Sequence, residues 1–152
     1  MFEAEKQIKA LKLKAFLPYR LSVLSNRISR SITERYENKF KLSTAEWRTV
    51  AILGEESNLS AAEVAERTAM DKVAISRAVN KLISHGRLVR HFSEDDRRRS
   101  VLALSDDGRE IYEQIVPLAL SYETAILDEL NEDEQAFLDS ILTKLNEIQS
   151  RQ

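Results

Sequence analysis

Between Ser60 and Ser105 the chain reads SAAEVAERTAMDKVAISRAVNKLISHGRLVRHFSEDDRRRSVLALS, and this order of short segments leaves few folds open. Ser60-Ala61-Ala62-Glu63 is a capping box, a Ser with a Glu three residues on, and it opens a short helix whose Val64 and Ala65 turn inward. The small alanines allow a close helix approach, and Thr68-Ala69-Met70 is a tight turn. Asp71 is placed to N-cap a second helix that runs to about His85. Its Val73, Ile75, Ala78, Val79, Leu82 and Ile83 supply the buried surface, and Lys72, Ser76, Arg77, Asn80 and Lys81 point outward. Gly86 stands at the stop position. Arg87–Phe92 alternates as a strand does, and Ser100–Leu104 is its natural partner. The loop between them, Glu94 to Arg99, is too charged for a core. A polar helix after a short turn, followed by a basic ribbon, is the layout of a winged helix-turn-helix. That unit places one helix in a DNA major groove and a ribbon arm beside it.

The length of 152 residues suits one compact domain, or one domain with an oligomerisation extension. Three glycines and two prolines leave little material for turns and favour long helices. The absence of cysteine excludes a disulfide framework, a thiol nucleophile and a thiolate metal site. No apolar run approaches the roughly 20 residues of a membrane span. The opening MFEAEKQIKA lacks the apolar core of a secretory signal, so a cytoplasmic location is expected. A net charge of −2 hides an asymmetry: residues 1–41 hold 10 Lys/Arg against 4 Asp/Glu, and residues 101–152 hold 3 against 12. The balance argues against a generic nucleic-acid coat but not against a site-specific reader, for which the placement of positive charge decides.

The flanks read as helices. Residues 3–15 have helical spacing, with Ile8 and Leu11 on one side, and Pro18 fits the first turn of the next helix. From Pro18 to about Asn38 that helix spans roughly 30 Å, too long and too amphipathic for a small winged domain alone to bury. Ser43-Thr44-Ala45-Glu46 is another capping box, and Trp47, Val50, Ala51 and Leu53 can face inward behind it. After the ribbon, Ser105 caps a long helix in which Pro117 predicts a kink or local break. Asn131 with Glu134 opens the last helix, whose Phe137, Leu138, Ile141, Leu142, Leu145 and Ile148 form a stripe. The expected fold is mainly α with a small antiparallel β-wing, a winged helix-turn-helix with long N- and C-terminal dimerisation helices. The expected division is residues 1–40 for the N-terminal helices of the dimerisation region, 41–105 for the DNA-binding domain, and 106–152 for the C-terminal helices. A two-fold dimer would offer two recognition helices to half-sites one helical turn apart.

From about Leu17 to Leu145 the sequence resembles the MarR family of bacterial winged helix-turn-helix regulators. The resemblance is carried by Ala65-Glu66-Arg67-Thr68-Ala69-Met70-Asp71-Lys72-Val73, then Ser76-Arg77-Ala78-Val79, Leu82, Gly86 and Leu88-Val89-Arg90. The family's wing signature, Asp-any-Arg, falls on Asp96-Arg97-Arg98, and Leu104-Ser105 and Gly108 follow in register. The resemblance implies an obligate homodimer joined through its N- and C-terminal helices and bound to a short palindrome, usually as a repressor. It also implies a small-molecule pocket between the dimer region and the reader.

On the recognition helix, Arg77 can take a guanine edge bidentately, Asn80 an adenine edge, and Ser76 a base or phosphate. Lys72 and Lys81, and also Arg67, fit phosphates. At the wing Arg98 suits the minor groove, whose narrow stretches attract arginine, with Arg97 or Arg99 on phosphates. One of the three arginines is expected to pair with Asp95 or Asp96, and Asp71, which caps its helix, is expected to reach a wing arginine as the matching family position does. Thus Asp71 and Asp96 would orient the reader. Family members often bind aromatic or phenolic carboxylates, for which Arg20, Asn26, Arg27, Trp47 and Tyr112 are the pocket candidates. Trp47 and Arg20 fit core and dimer roles as well. No cofactor, metal site or enzymatic activity is expected: there is no Gly-rich phosphate loop and no Ser–His–acid set, and His85 and His91 lack metal-ligand spacing. The competing reading is a winged-helix module that binds protein through its acidic C-terminal helices.

Overall fold

The computed structural model describes residues 9–152. The elements in order are α1 (Leu17–Phe40), α2 (Thr44–Glu55), α3 (Ala61–Thr68), α4 (Lys72–Ser84), β1 (Leu88–Phe92), β2 (Ser100–Leu104), α5 (Asp106–Leu127) and α6 (Glu132–Ser150). They fall into two compact units, one ending at Thr44 and one comprising Ala45–Gln152. The C-terminal helices therefore group with the reader instead of standing apart from it.

In the first unit, the helix expected over residues 3–15 lies partly outside the described residues. Within them it is replaced by a single 3-10 turn, Leu13–Ala15. Leu11 and Leu13 are exposed, so no packed apolar face holds a helix together there, and a helix this short is marginal on its own. Pro18 sits in the first turn of α1, as expected. The helix ends where Lys41 turns left-handed at φ 55° and donates its N–H to the Glu37 carbonyl at 3.0 Å. The Thr33 and Thr44 hydroxyls share a hydrogen bond of 2.6 Å. Tyr36, Phe40 and Leu42 are buried, and burial pushes the Tyr36 phenol above its ordinary range against the opposing pull of Arg35.

The core of the second unit is built by Val50 and Leu53 of α2, Val64 of α3, Ile75, Val79 and Leu82 of α4, the strand residues Leu88, Val101 and Leu102, and Ile115 of α5, all buried. Each such side chain contributes roughly 1.5–3 kcal/mol relative to exposure. Trp47 and Ala51 are only half-buried, and Val73, expected inside, is 58% exposed. Val73 is adjacent to Lys72 on the outward stripe, two positions off the inward set of Ile75, Val79 and Leu82. The helix-turn-helix bend is made by Ala69, left-handed at φ 51°, while the Met70 N–H donates to the Ala65 carbonyl at 3.1 Å. β1 and β2 pair antiparallel from Leu88↔Leu104 to Phe92↔Ser100. Leu59 extends this sheet as a bridge: the Leu102 N–H donates to its carbonyl at 2.7 Å.

Of the kink or local break expected at Pro117, the break does not occur; α5 continues from Asp106 to Leu127 with Pro117 inside it. A proline removes only one hydrogen bond of the ladder, and neighbouring turns sustain the rest of a 22-residue helix. Asn131 and Glu134 form the full reciprocal capping box of α6. The start of α5 is joined to the end of α4. Ser105 accepts the Gly108 N–H at 3.1 Å and donates its hydroxyl to the Gly86 carbonyl at 2.6 Å. A Cβ on Gly108 would collide with the Arg87 carbonyl, and one on Gly54 would collide with the Tyr112 ring.

These glycines differ in kind. Gly86 is left-handed at φ +73° with open space where a Cβ would stand, so Gly86→Ala costs only backbone strain, about 1–2 kcal/mol. Gly108→Ala must displace backbone. Thermal melts are expected to rank Gly108→Ala well below Gly86→Ala; equal melting temperatures would show that the α4–α5 junction is loose.

Candidate nucleic-acid interface

The candidate interface is an outward stripe of α4 together with the tip between β1 and β2. Periodicity makes the stripe. Ile75, Ala78, Val79 and Leu82 occupy the inward face, which leaves Lys72, Ser76, Arg77, Asn80 and Lys81 exposed at steps of four, one, three and one. Asp71 fixes where this helix begins: its Oδ1 accepts the N–H groups of Val73 at 2.5 Å and Ala74 at 3.4 Å. At the other end, His85 Nδ1 lies 2.8 Å from the Lys81 carbonyl, which calls for the Nδ1–H tautomer.

Among the described residues, the side chains of Lys72, Ser76, Arg77, Asn80, Arg97 and Arg98 have no intramolecular polar partner, and all are exposed. They are the groups available to a ligand. Lys81 differs: its Nζ lies 3.4 Å from Glu46, whose side chain is almost fully buried while that of Lys81 is more than half exposed. Glu46, read from sequence as a capping residue, thus also tethers α4 to α2. Arg67 is held by Glu56, at 2.9 and 3.0 Å, and by Glu63 at 3.6 Å.

At the tip, Asp96 Oδ1 accepts the Arg98 N–H at 3.0 Å and the Asp96 carbonyl accepts the Arg99 N–H at 2.9 Å, so this carboxylate shapes the turn that carries Arg98. The wing arginine that forms an ion pair is Arg99, and its partner is Glu63 of α3 rather than Asp95 or Asp96. Asp71 makes no ion pair with the wing among the described residues; its carboxylate is spent on its own helix. The pairs Glu46–Lys81 and Glu63–Arg99 join residues 35 and 36 positions apart. No local spacing signals them. The only sequence trace is an acidic residue at the third position of each capping box.

Of the expected ligand-pocket residues, Arg20 and Arg27 come together in the first unit. They line a cleft of about 570 Å³ with Lys14, Leu17, Tyr19, Leu21, Val23 and Leu24. Asn26 is exposed on α1 and does not line it. Trp47 and Tyr112 belong to the second unit, where both are half-buried; Arg48 lies over the Trp47 ring and Arg109 over the Tyr112 ring. Among the described residues no His, Asp or Glu group is arranged to hold a metal ion, and no helix is long and apolar enough to cross a membrane.

Residues 40–99 match the family model described as the MarR family. An HTH-type transcriptional regulator of Bacillus cereus is 26% identical over 119 residues, covering 78% of this chain and 79% of that protein. A MarR/EmrR family transcriptional regulator from Acinetobacter sp. ADP1 superposes with a TM-score of 0.84 at 25% identity, over 93% of this chain and 100% of the other. BpsR of Bordetella bronchiseptica, whose DNA binding is regulated by 6-hydroxynicotinic acid, has the same fold, with a TM-score of 0.76 at 22% identity over 91% and 98% of the two chains.

The Asp71 cap has a measurable weight. Asp71→Ala is expected to cost about 1 kcal/mol, which lowers the melting temperature of a chain this size by about 2–4 °C. Asp71→Asn should retain most of it, and a full loss with Asn would assign Asp71 a role that depends on its charge.

Proposed function

We propose that this chain, whose residues 40–99 match the MarR family model and whose fold matches MarR family transcriptional regulators, is a homodimeric repressor of a short palindromic operator, released or modulated by a small aromatic or phenolic carboxylate. The observation that carries this reading is the set of unpaired polar groups on α4 and the wing. Arg77 and Asn80 lie one turn apart with free side chains, the geometry for base edges in a major groove. Lys72 stands at the first position of the helix for a phosphate, with Lys81 reaching one beside its Glu46 tether. Arg98, on the turn shaped by Asp96, enters the minor groove, flanked by Arg97.

Dimerisation is supported by apolar faces that water would otherwise wet. Leu17, Leu21 and Leu24 on α1, and Phe137, Leu138, Ile141, Leu142 and Ile148 on α6, are all exposed large hydrophobics at helical spacing. Two-fold pairing through them gives two readers and a two-fold operator. Ligand response is supported by the cleft in which Lys14, Arg20 and Arg27 surround leucine and tyrosine side chains, a fit for a flat anion. That BpsR answers to 6-hydroxynicotinic acid shows that an aromatic acid can act on this fold.

The test is selection of bound sequences from random duplex DNA, followed by titration of the enriched site and light scattering of the protein. The expected results are a palindrome, a mass twice 17.4 kDa, and losses of about 1–3 kcal/mol on Arg77→Ala or Arg98→Ala. Addition of hydroxylated aromatic acids should weaken the wild-type complex and affect Arg20→Ala less. Unchanged binding by both arginine variants at equal salt would overturn the interface.

A further inference from the structure

We propose that Arg99 and Glu63 are positioning residues that set the wing against α3, and that Arg99 is not among the arginines that grip DNA. Glu63 lies in the first turn of α3, with its side chain about one quarter exposed. Its Oε1 meets Arg99 Nη2 and accepts the Ser60 hydroxyl at 3.1 Å, and its Oε2 lies 3.6 Å from Arg67. Arg67 in turn takes both oxygens of Glu56. Four charges of alternating sign, Glu56, Arg67, Glu63 and Arg99, therefore run from the end of α2 across α3 to the residue before β2. Isolated surface pairs contribute little, but a connected row with one bidentate member fixes geometry.

Arg99 is placed to transmit that geometry. Its carbonyl accepts the Ser93 N–H at 2.8 Å and its N–H donates to Asp96 at 2.9 Å, so it closes the base of the wing loop on both strands. Anchoring its guanidinium to α3 holds this loop base, and with it the adjoining turn on which Arg98 stands with a free side chain. The row is electrically neutral, so it adds little attraction for phosphate. Lys72, Arg77, Arg97 and Arg98, with the tethered Lys81, are the reader's cations that do.

This inference rests on the DNA-binding reading. Its test uses the full chain, the selected operator, and a range of salt concentrations, with variants Glu63→Gln, Arg99→Met, Arg98→Ala and the doubles Glu63→Gln/Arg98→Ala and Arg99→Met/Arg98→Ala. A positioning role predicts that Glu63→Gln and Arg99→Met each weaken binding by roughly fivefold, below the loss of a direct contact, and leave the salt slope unchanged. In the Arg98→Ala background neither should weaken binding further, because the side chain they aim is gone. Arg99→Lys, which keeps a cation for Glu63, should recover most of the affinity. A slope shallower by about 0.9 on Arg99→Met, with binding unchanged or tighter on Glu63→Gln, would overturn the inference, because it would mean Arg99 sits on a phosphate. So would full additivity with Arg98→Ala, which would mean a general effect on folding. Should Glu63→Gln fail to fold, the Arg99 series on the exposed end of the same pair reads the same outcomes. Wild-type protein that selects no sequence would overturn the DNA reading along with this one, a result visible before any variant is made.

Discussion

The arrangement depends first on the division of α4 into two faces. Ile75, Val79 and Leu82 have no exposed surface at all, so the rotation of this helix about its axis is set by the core. A rotation of one residue, about 100°, would drive Arg77 or Asn80 into an apolar interior, at a cost no surface contact could offset. The stripe of polar groups opposite is therefore a consequence of packing, and Asp71 adds the axial position by fixing the first turn. Flexible side chains are thus presented from a rigid helix, which lowers the ordering cost when they meet a partner.

A second layer of control is the sorting of cations. Lys81, Arg67 and Arg99 are each drawn to a glutamate: Glu46 on α2, Glu63 on α3, or Glu56 in the bend just after α2. These two helices lie behind the reader, and their carboxylates take up some of its positive charge while tying α4 and the wing in place. What is left free is a small, spaced set of cations. This agrees with a chain of slightly negative net charge: strong unspecific attraction to any polyanion is suppressed, and discrimination falls to a few directed hydrogen bonds.

Local chemistry was well legible in the sequence. The caps at Ser60, Asp71, Ser105 and Asn131 rest on hydrogen bonds two or three residues long, so their signals survive without knowledge of the fold. The same holds for the strands, whose register follows from an alternation interrupted by one charged loop. Long-range pairs were not legible. Nothing around Glu46 announces that a carboxylate would be buried, since its partner comes from a helix 35 residues on. Arg99 differs from Arg97 and Arg98 only by where the turn points it, so the sequence offered three equivalent arginines where the structure has one anchor. Val73 shows the limit of reading apolarity as burial: a valine beside an inward face can still be a surface residue. At residues 9–12 local spacing pointed to helix, but the exposed Leu11 and Leu13 show no packed face to hold one; at Pro117 the long α5 ladder continues through the proline.

The seam between α4 and α5 makes a lever of the second unit. Ser105 and Gly108 abut the backbone of Gly86 and Arg87, so the last turn of the reader and the first turn of α5 share their carbonyls with no flexible linker beyond the ribbon between them. α5 has 22 residues and is about 33 Å long, so one degree of tilt at this fulcrum sweeps its far end through roughly 0.6 Å. Run in reverse, an ångström-scale displacement of the far end corresponds to a rotation of a degree or two about this fulcrum, where Gly108 leaves no room for a side chain against the Arg87 carbonyl.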